Sequence, residues 1–251
     1  TMVCQNITVQ LDANGDASIV GVDLDGGTTD NCNTSAQLSF TTDVSDFDCL
    51  NVGPNTITLT ATDTYGNSSI CTATVTIEDN VNPVAVCQNI TVQLDATGNV
   101  FIAAADVDGG SSDACGIASL AVNQDAFVCA EVGANTVTLT VTDNNGNSAT
   151  CDATVTVEDN VDPTPVCQSI TVQLDGTGNA AISATDVDNG SSDACGIASL
   201  VVSPNTFTCA EEGVNTVTLT VTDVNGNSST CTATVTVENN VTPAVSCQDI
   251  T

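Results

Sequence analysis

The sequence predicts an all-β protein, in which immunoglobulin-like β-sandwich repeats of about 80 residues follow one another as an elongated rod. Three observations predict this fold: the whole pattern repeats, apolar residues alternate with threonine, and cysteines recur at fixed spacing. The segment that begins at Val3 returns at Val86 and Val166, and it starts again at Ser246. Self-similarity at such a period is typical of a repeat architecture.

The repeat period sets the predicted domain boundaries. We assign the repeats to residues 1–80, 81–160 and 161–240, and residues 241–251 to the start of a truncated fourth repeat. The runs that close the first two repeats, Glu78–Pro83 and Glu158–Pro163, are short and contain proline. Short connections with proline are stiff, so we expect neighbouring repeats to be held in line. No signal peptide opens the chain, and we expect it to be the interior of a longer mature protein.

Within a repeat, the residue pattern is that of β-strands. Thr136–Thr142 alternates threonine with valine or leucine, and Ala153–Val157 and Ile90–Leu94 alternate in the same way. Turn clusters such as Asn144–Asn147 separate these runs. About seven short strands per repeat are expected for an immunoglobulin-like sandwich. Phe47, Phe127 and Phe207 recur two residues before a cysteine and are predicted to lie in the cores. Phe40, Tyr65 and Phe101 are predicted to lie in the cores or in local packing.

The charge composition excludes two classes of partner. The chain has no Lys, Arg or His and 31 Asp and Glu residues, which gives a formal charge of −31. Binding to nucleic acid or to an anionic membrane surface is excluded, because the electrostatic term would have the wrong sign. No apolar run is long enough to insert in a membrane. So much uncompensated charge favours binding of divalent cations.

The cysteines predict a disulfide framework formed outside the cytoplasm. Thirteen cysteines occur as three sets of four and one more at Cys247, with no CxxC pair, which disfavours zinc. Four cysteines allow three connectivities. In such a sandwich the first and last strands lie parallel, which favours first-to-fourth pairing, and second-to-third pairing follows for the others. The predicted pairs are Cys4–Cys71, Cys32–Cys49, Cys87–Cys151, Cys115–Cys129, Cys167–Cys231 and Cys195–Cys209.

The same topology predicts acidic clusters at the repeat junctions. The end of one repeat, a loop of the next and the turn of its last hairpin should meet there, and their oxygen ligands suit calcium. The candidate ligands of the first junction are Glu78, Asp79, Asp106, Asp108, Asp113 and Asp143. Those of the second are Glu158, Asp159, Asp186, Asp188, Asp193 and Asp223. The alternative is that these carboxylates only cap the amides of turns.

The repeat resembles a known extracellular family. The segments Val86–Asn99, Ala105–Gly110, Asp113–Gly116 and Asn135–Asp159 are similar to the HYR (hyalin) repeat, and in their fuller form to the tandem repeats of giant flavobacterial surface adhesins, of the SprB type used in gliding. The resemblance implies type IX secretion, display on the bacterial outer cell surface and a long thin filament. Gripping of a substratum through a distal tip is part of the same expectation. Unlike hyalin repeats, this chain has no basic residues.

The sequence therefore favours a structural stalk of an adhesin over other function classes. An enzyme is disfavoured, because no His or Lys can act as a base and every candidate cluster recurs once per repeat. A laterally associating filament or surface-layer subunit, in which like chains are partners, is the closest alternative. An ice-binding module based on threonine arrays, or a carbohydrate-binding module, is less favoured, since threonine is ordinary on exposed strands and aromatic residues for sugar stacking are few.

Overall fold

The structure is a computed structural model that describes residues 1–243. Within these residues each repeat contains six strands. The first repeat contains β1 (Ile7–Gln10), β2 (Ala17–Ser18), β3 (Ser39–Thr42), β4 (Asp46–Phe47), β5 (Gly53–Thr62) and β6 (Ser68–Glu78). The second contains β7 (Ile90–Gln93), β8 (Asn99–Phe101), β9 (Ile117–Val122), β10 (Ala126–Val128), β11 (Gly133–Asp143) and β12 (Ser148–Glu158). The third contains β13 (Ile170–Gln173), β14 (Asn179–Ala181), β15 (Ile197–Ser203), β16 (Thr206–Thr208), β17 (Gly213–Asp223) and β18 (Ser228–Glu238).

Within residues 1–243 helical structure is limited to single turns. One α-helical turn, α1 (Ala184–Val187), and several 3-10 turns lie between strands. The 3-10 turns are Gly21–Leu24, Ser35–Gln37, Cys49–Asn51, Ala104–Asp106, Cys129–Glu131 and Cys209–Glu211. None of the helices in residues 1–243 is long and apolar enough to cross a membrane.

The segment between β8 and β9 forms isolated bridges where a seventh strand was expected. It pairs with the start of its repeat at Cys87–Asp108 and Val84–Ser112. Within it the Asp106 carboxylate accepts from the amide of Ala103, and the Asp108 carboxylate accepts from the amide of Ser111. Aspartate side chains that bond nearby amides favour turns, so the pairing is interrupted and no continuous strand forms.

The strand order places the first and last strands of each repeat side by side. The four-stranded sheets have the orders β1-β6-β5-β3, β7-β12-β11-β9 and β13-β18-β17-β15. Three two-stranded sheets pair β2 with β4, β8 with β10 and β14 with β16. The first strand lies parallel to the last, with Ile7 opposite Val75 and Ile170 opposite Val235. This confirms the parallel pairing that the sequence predicts, and the all-β sandwich class is confirmed with it.

Contacts between Cα atoms group the chain into two compact units. The first unit comprises Thr1–Asn89, Ala103–Gln124 and Thr136–Thr154. The second comprises Ile90–Ile102, Asp125–Asn135 and the residues from Val155 onward. Each unit contains one outer repeat and part of the middle one, and the predicted boundaries at residues 80, 160 and 240 stay a prediction.

The alternating strands bury one face and expose the other. In β17 the side chains of Val217, Leu219 and Val221 are fully buried, whereas the intervening threonines are half-buried. Phenylalanine is buried two residues before the third cysteine of each repeat, at Phe47, Phe127 and Phe207, as predicted. The removal of such apolar side chains from water makes the main favourable contribution to the free energy of folding.

Two of the other aromatic residues lie outside the cores. Phe101 is 75% exposed and Tyr65 is 78% exposed, whereas Phe40 is half-buried against the core of the first repeat. Phe101 follows the half-buried Val100 in β8, so the strand alternation turns its ring to solvent. Tyr65 lies in the turn between β5 and β6, where the Asp63 side chain accepts from its amide.

Candidate metal site and disulfides at the repeat junctions

One disulfide closes each repeat as the parallel pairing predicts. Cys4 bonds Cys71, Cys87 bonds Cys151 and Cys167 bonds Cys231, with Cα separations of 6.0, 5.8 and 5.9 Å. In the first repeat, β1 runs beside β6 with Thr8 opposite Thr76. Extending that register toward the amino end brings the first cysteine beside the fourth.

The predicted second-to-third pairing is wrong. The bonds that form are Cys49–Cys115 and Cys129–Cys195, each from the third cysteine of one repeat to the second cysteine of the next. Cys32 and Cys209 form no disulfide among residues 1–243. The pairs Cys32–Cys49, Cys115–Cys129 and Cys195–Cys209 are therefore absent from this part of the chain.

Strand direction explains the correction. Cys49 follows β4, and its Sγ lies 3.8 Å from the carbonyl oxygen of Gly15, beyond the end of β1. Cys32 lies at the other end of the repeat, because its neighbour Asn33 donates to Thr64 in the turn after β5. The second and third cysteines thus lie at opposite ends of a repeat, where each can reach only the adjoining repeat.

Two carboxylates meet at each junction. Carboxylate oxygens of Asp79 and Asp113 and the Sγ of Cys115 lie within 4.8 Å of one another, and Asp159, Asp193 and Cys195 form the same cluster at the second junction. The two sulfur atoms belong to disulfides, so the carboxylates are the potential ligands. The pairs thus bring a linker aspartate next to a loop aspartate of the following repeat.

The linker aspartate has an oxygen without a partner. Asp79 is 6% exposed and Asp159 is 7% exposed. In Asp79, Oδ1 accepts from the amide of Val81 at 3.0 Å, but Oδ2 is buried and has no hydrogen-bond partner, and the same holds for Oδ2 of Asp159. Buried carboxylate oxygens are nearly always hydrogen-bonded or paired with a cation, so an unpartnered one marks a potential cation ligand.

The hairpin turn of the following repeat reaches the same junction. The Asn147 side-chain amide donates to the carbonyl oxygen of Asp79 at 3.0 Å, and Asn227 donates to that of Asp159 at 3.0 Å. The linker therefore contacts the hairpin turn through these bonds and lies beside the loop through the carboxylate pair, so the three oxygen-rich segments that the sequence places at a junction meet there.

The buried Asp143 at this turn serves the turn itself. It is 1% exposed, and its carboxylate accepts from the amides of Asn145 and Asn147 and from the Asn147 side chain. Burial by itself would raise the pKa of Asp143, but the Asn147 side chain and the turn amides outweigh it and lower that pKa. Asp223 is equally buried and has the equivalent bonds.

The other predicted ligands are engaged in local hydrogen bonds. Glu78 and Glu158 accept from Gln10 and Gln93 on the neighbouring strand, each at 2.7 Å. The rest cap amides in loops: Asp106 and Asp186 accept from Ala103 and Ser183, and Asp108 and Asp188 accept from Ser111 and Ser191. Of each predicted set of six, the cluster brings together only the linker aspartate and the aspartate two residues before the second cysteine.

The chemistry of the pair fits a hard cation. The carboxylates are close enough to repel, and no cationic side chain exists in the sequence to offset them. Calcium takes 6–8 oxygen ligands from carboxylates, carbonyls and water, and the pair could supply part of such a shell. No residue motif in the sequence distinguishes Asp79 from Glu78; the unsatisfied, buried oxygen does so only in three dimensions.

Comparison with known proteins finds a similar curated protein but no matching family model. The chain is similar to hyalin of Lytechinus variegatus, with 32% identity over 181 residues, which are 69% of this chain and 33% of hyalin. The chain thus spans about a third of the length of this curated relative.

Solved structures of tandem cadherin domains also align with most of the chain. Extracellular domains 1–4 of protocadherin gamma B7 show 12% identity over 95% of this chain and 75% of that structure, with a TM-score of 0.39. Domains 22–24 of mouse cadherin-23 show 14% identity over 94% of this chain and 96% of that structure, with a TM-score of 0.37. Likeness at this level carries no argument about calcium or partners, and the fold assignment rests on the strand order described above.

Proposed function

We propose that this chain is a covalently reinforced stalk segment of a long extracellular protein that serves adhesion. The observation that supports it best is the pair of disulfides, Cys49–Cys115 and Cys129–Cys195, which join consecutive repeats. Five disulfides within 243 described residues are typical of proteins outside the reducing cytoplasm. The similarity to hyalin supports the same class, and catalysis has no part in the proposal.

The finer assignment rests on the resemblance of the repeat pattern. It comprises the bacterial outer surface, the type IX secretion route, gliding motility, and attachment to a substratum through a distal tip. Neighbouring repeats of the same chain are the partners that the stalk requires. Lateral association with like filaments is the second candidate, which the exposed Val201 and Val214 on strands of the third repeat favour.

The stalk proposal predicts that the disulfides between repeats keep the chain extended. We expect small-angle scattering of the oxidised chain to fit an elongated rod. A variant with Cys49, Cys115, Cys129 and Cys195 replaced by serine should give a broader distribution of distances, because only the linkers then connect the repeats. Identical scattering from both proteins would contradict a mechanical role for these bonds. A variant with serine at Cys32 and Cys209 is the matched control.

We further propose that the junction carboxylates bind calcium. The unpartnered Oδ2 atoms of Asp79 and Asp159 support this, with Asp113 and Asp193 as the second carboxylates. A cation there would offset the repulsion within each pair and tie the linker to the loop of the next repeat. A ligand that binds only the folded state adds stability in proportion to the logarithm of its concentration.

The calcium site is tested with a double variant in which Asp79 and Asp159 are asparagine. We expect calcium to raise the melting temperature of the wild type above its value in EDTA by about 5 °C or more, and to leave that of the variant unchanged. The matched control replaces Glu78 and Glu158 by glutamine, which removes the same charge from the same linkers, and should respond like the wild type. An equal rise in melting temperature in the aspartate variant would show that Asp79 and Asp159 do not bind calcium.

A further inference from the structure

Cys32 and Cys209 are exposed and form no disulfide within residues 1–243. Cys32 is the second cysteine of the first repeat, and Cys209 is the third cysteine of the third repeat. The cysteines at the equivalent positions of the other repeats are bonded across a junction. We propose that each is one half of a further junction of the same kind. Cys209 binds the Asp-x-Cys loop of another repeat of this type, and Cys32 is presented on such a loop. A second copy of this chain can supply the missing half of either.

The half that contains Cys209 has the geometry of the bonded junctions. Its Sγ lies 3.8 Å from the carbonyl oxygen of Gly178. In the bonded junctions, Cys49 and Cys129 lie at the same 3.8 Å from Gly15 and Gly98. All three cysteines begin a 3-10 turn.

The glycine marks where the partner loop packs. A Cβ atom added to Gly15 would lie 3.2 Å from the Ala114 Cβ of the next repeat, and one added to Gly98 would lie 3.3 Å from the Ala194 Cβ. Among the described residues, a Cβ at Gly178 would meet only the sulfur of Cys209. The glycine at this position thus provides a close approach for an alanine-sized residue that precedes the partner cysteine.

A surface depression surrounds Cys209 on the side of that glycine. Its lining includes Gly176, Thr177, Gly178, Val241 and Thr242. At the first junction, residues at equivalent positions line a depression whose other wall is the partner loop. They are Ala13, Asn14, Val81 and Asn82, and the loop supplies Ser112, Asp113 and Ala114. The depression beside Cys209 therefore corresponds to the place where a loop of this type sits in the bonded junctions.

The half that contains Cys32 is also preformed. Its amide donates to the Asp30 carboxylate at 2.9 Å. The same bond holds the bonded cysteines, from Cys115 to Asp113 at 2.8 Å and from Cys195 to Asp193 at 2.7 Å. Cys32 is thus held in the same turn as the two partner cysteines. The residue between Asp30 and Cys32 is Asn31, where the bonded loops have alanine.

The bond forms by thiol–disulfide exchange with a small disulfide such as oxidised glutathione. The Cys209 thiolate attacks one glutathione sulfur, which forms a mixed disulfide and releases the other glutathione as a thiolate. The Cys32 thiolate of the second copy then attacks the Cys209 sulfur and displaces the second glutathione. Two protons leave the cysteine thiols and two glutathione thiols are produced, so electrons balance.

The test mixes two single variants, each with Cys247 also replaced by serine so that this thiol cannot react. Cys32→Ser retains only the Cys209 half, and Cys209→Ser retains only the Cys32 half. Oxidised with glutathione disulfide, the equimolar mixture should give at least tenfold more disulfide-linked dimer on non-reducing gels than either variant alone. Glu-C digestion and mass spectrometry should identify Cys32 bonded to Cys209, because trypsin has no cleavage site in this chain.

A displaced thiol is the matched control. In a chain with Cys32→Ser and Cys209→Ser, the exposed Ala210 is replaced by cysteine, which moves the thiol by one residue. Mixed with the Cys209→Ser variant, this chain should give no more disulfide-linked dimer than thiols that meet by random collision. A mixture that yields no more dimer than the single variants, or no more than the displaced thiol, would overturn the proposal. Neither result tests the calcium site. The residue beside Cys209 that corresponds to Asp79 and Asp159 is Asn239, which lacks the carboxylate.

Discussion

Replacing both Cys49 and Cys115 by serine will lower the free energy of unfolding by about 4 kcal/mol. The bond joins residues 66 positions apart, and a cross-link over a loop of that length restricts the unfolded chain strongly. Removing both cysteines together avoids leaving a free thiol beside the carboxylates of Asp79 and Asp113. The loss is large beside the stability of a small domain.

Chemical denaturation of the oxidised proteins measures this change. The matched control replaces Cys32 and Cys209, which removes two thiols but none of the bonds within the chain, and the stability of its monomer should stay within about 0.5 kcal/mol of the wild-type monomer. If the Cys49–Cys115 variant were as stable as this control, the bond would contribute nothing in solution. Limited proteolysis should also cut the variant faster in the linker Asp79–Pro83.

Replacing Asp143 by alanine will cost about 3 kcal/mol or more, because it removes a buried carboxylate that accepts three hydrogen bonds within one turn. The amides of Asn145 and Asn147 and the Asn147 side chain all donate to this carboxylate. Asn147 also holds the carbonyl oxygen of Asp79, so the turn and the linker are stabilised together. The equivalent change at Asp63 should cost less, since that carboxylate makes the same set of bonds at a more exposed turn, where water can replace it.

The pH dependence of stability provides a second measurement on the same residue. The pKa of Asp143 is lowered in the folded state, so its contribution is complete above the ordinary aspartate value of about 3.9 and is lost as the pH falls through the folded value. The wild type should therefore lose more stability than Asp143→Ala below about pH 4. Equal losses in the two proteins would mean that the bonds of this carboxylate do not persist in solution.

Periodicity was sufficient to predict the sandwich and its parallel end strands. Alternation in β11 and β12 determines which residues face the core, and the recurring cysteines mark the repeat ends. The second and third cysteines could not be assigned in this way. In a tandem array the cysteine spacing is the same in every repeat, so Cys115 could bond to Cys129 of its own repeat or to Cys49 of the preceding one. Only the strand directions distinguish these two pairings.

The metal ligands had the same ambiguity at the level of residue type. Aspartate caps turn amides and binds calcium through the same oxygen atoms, so composition could not separate Asp108, which caps Ser111, from Asp79, whose Oδ2 has no partner. Which acidic residue is left with a buried free oxygen depends on packing of the linker against the next repeat. The place of Phe101 was left open between core and local packing, because a large ring predicts burial whereas strand alternation determines the side on which it lies.

The disulfides that close each repeat also limit how far the chain can lengthen under tension. A pulling force that enters at Cys4 passes through the bond to Cys71, so the residues between them carry no load. From Cys71 the load-bearing backbone continues for 16 residues to Cys87, where the next bond takes it over. At about 3.5 Å per residue, that stretch extends to roughly 55 Å, whereas an unlinked repeat of about 80 residues would reach roughly 280 Å. With its sandwiches pulled apart, the oxidised chain can therefore lengthen only to about a fifth of the reach of an unlinked chain.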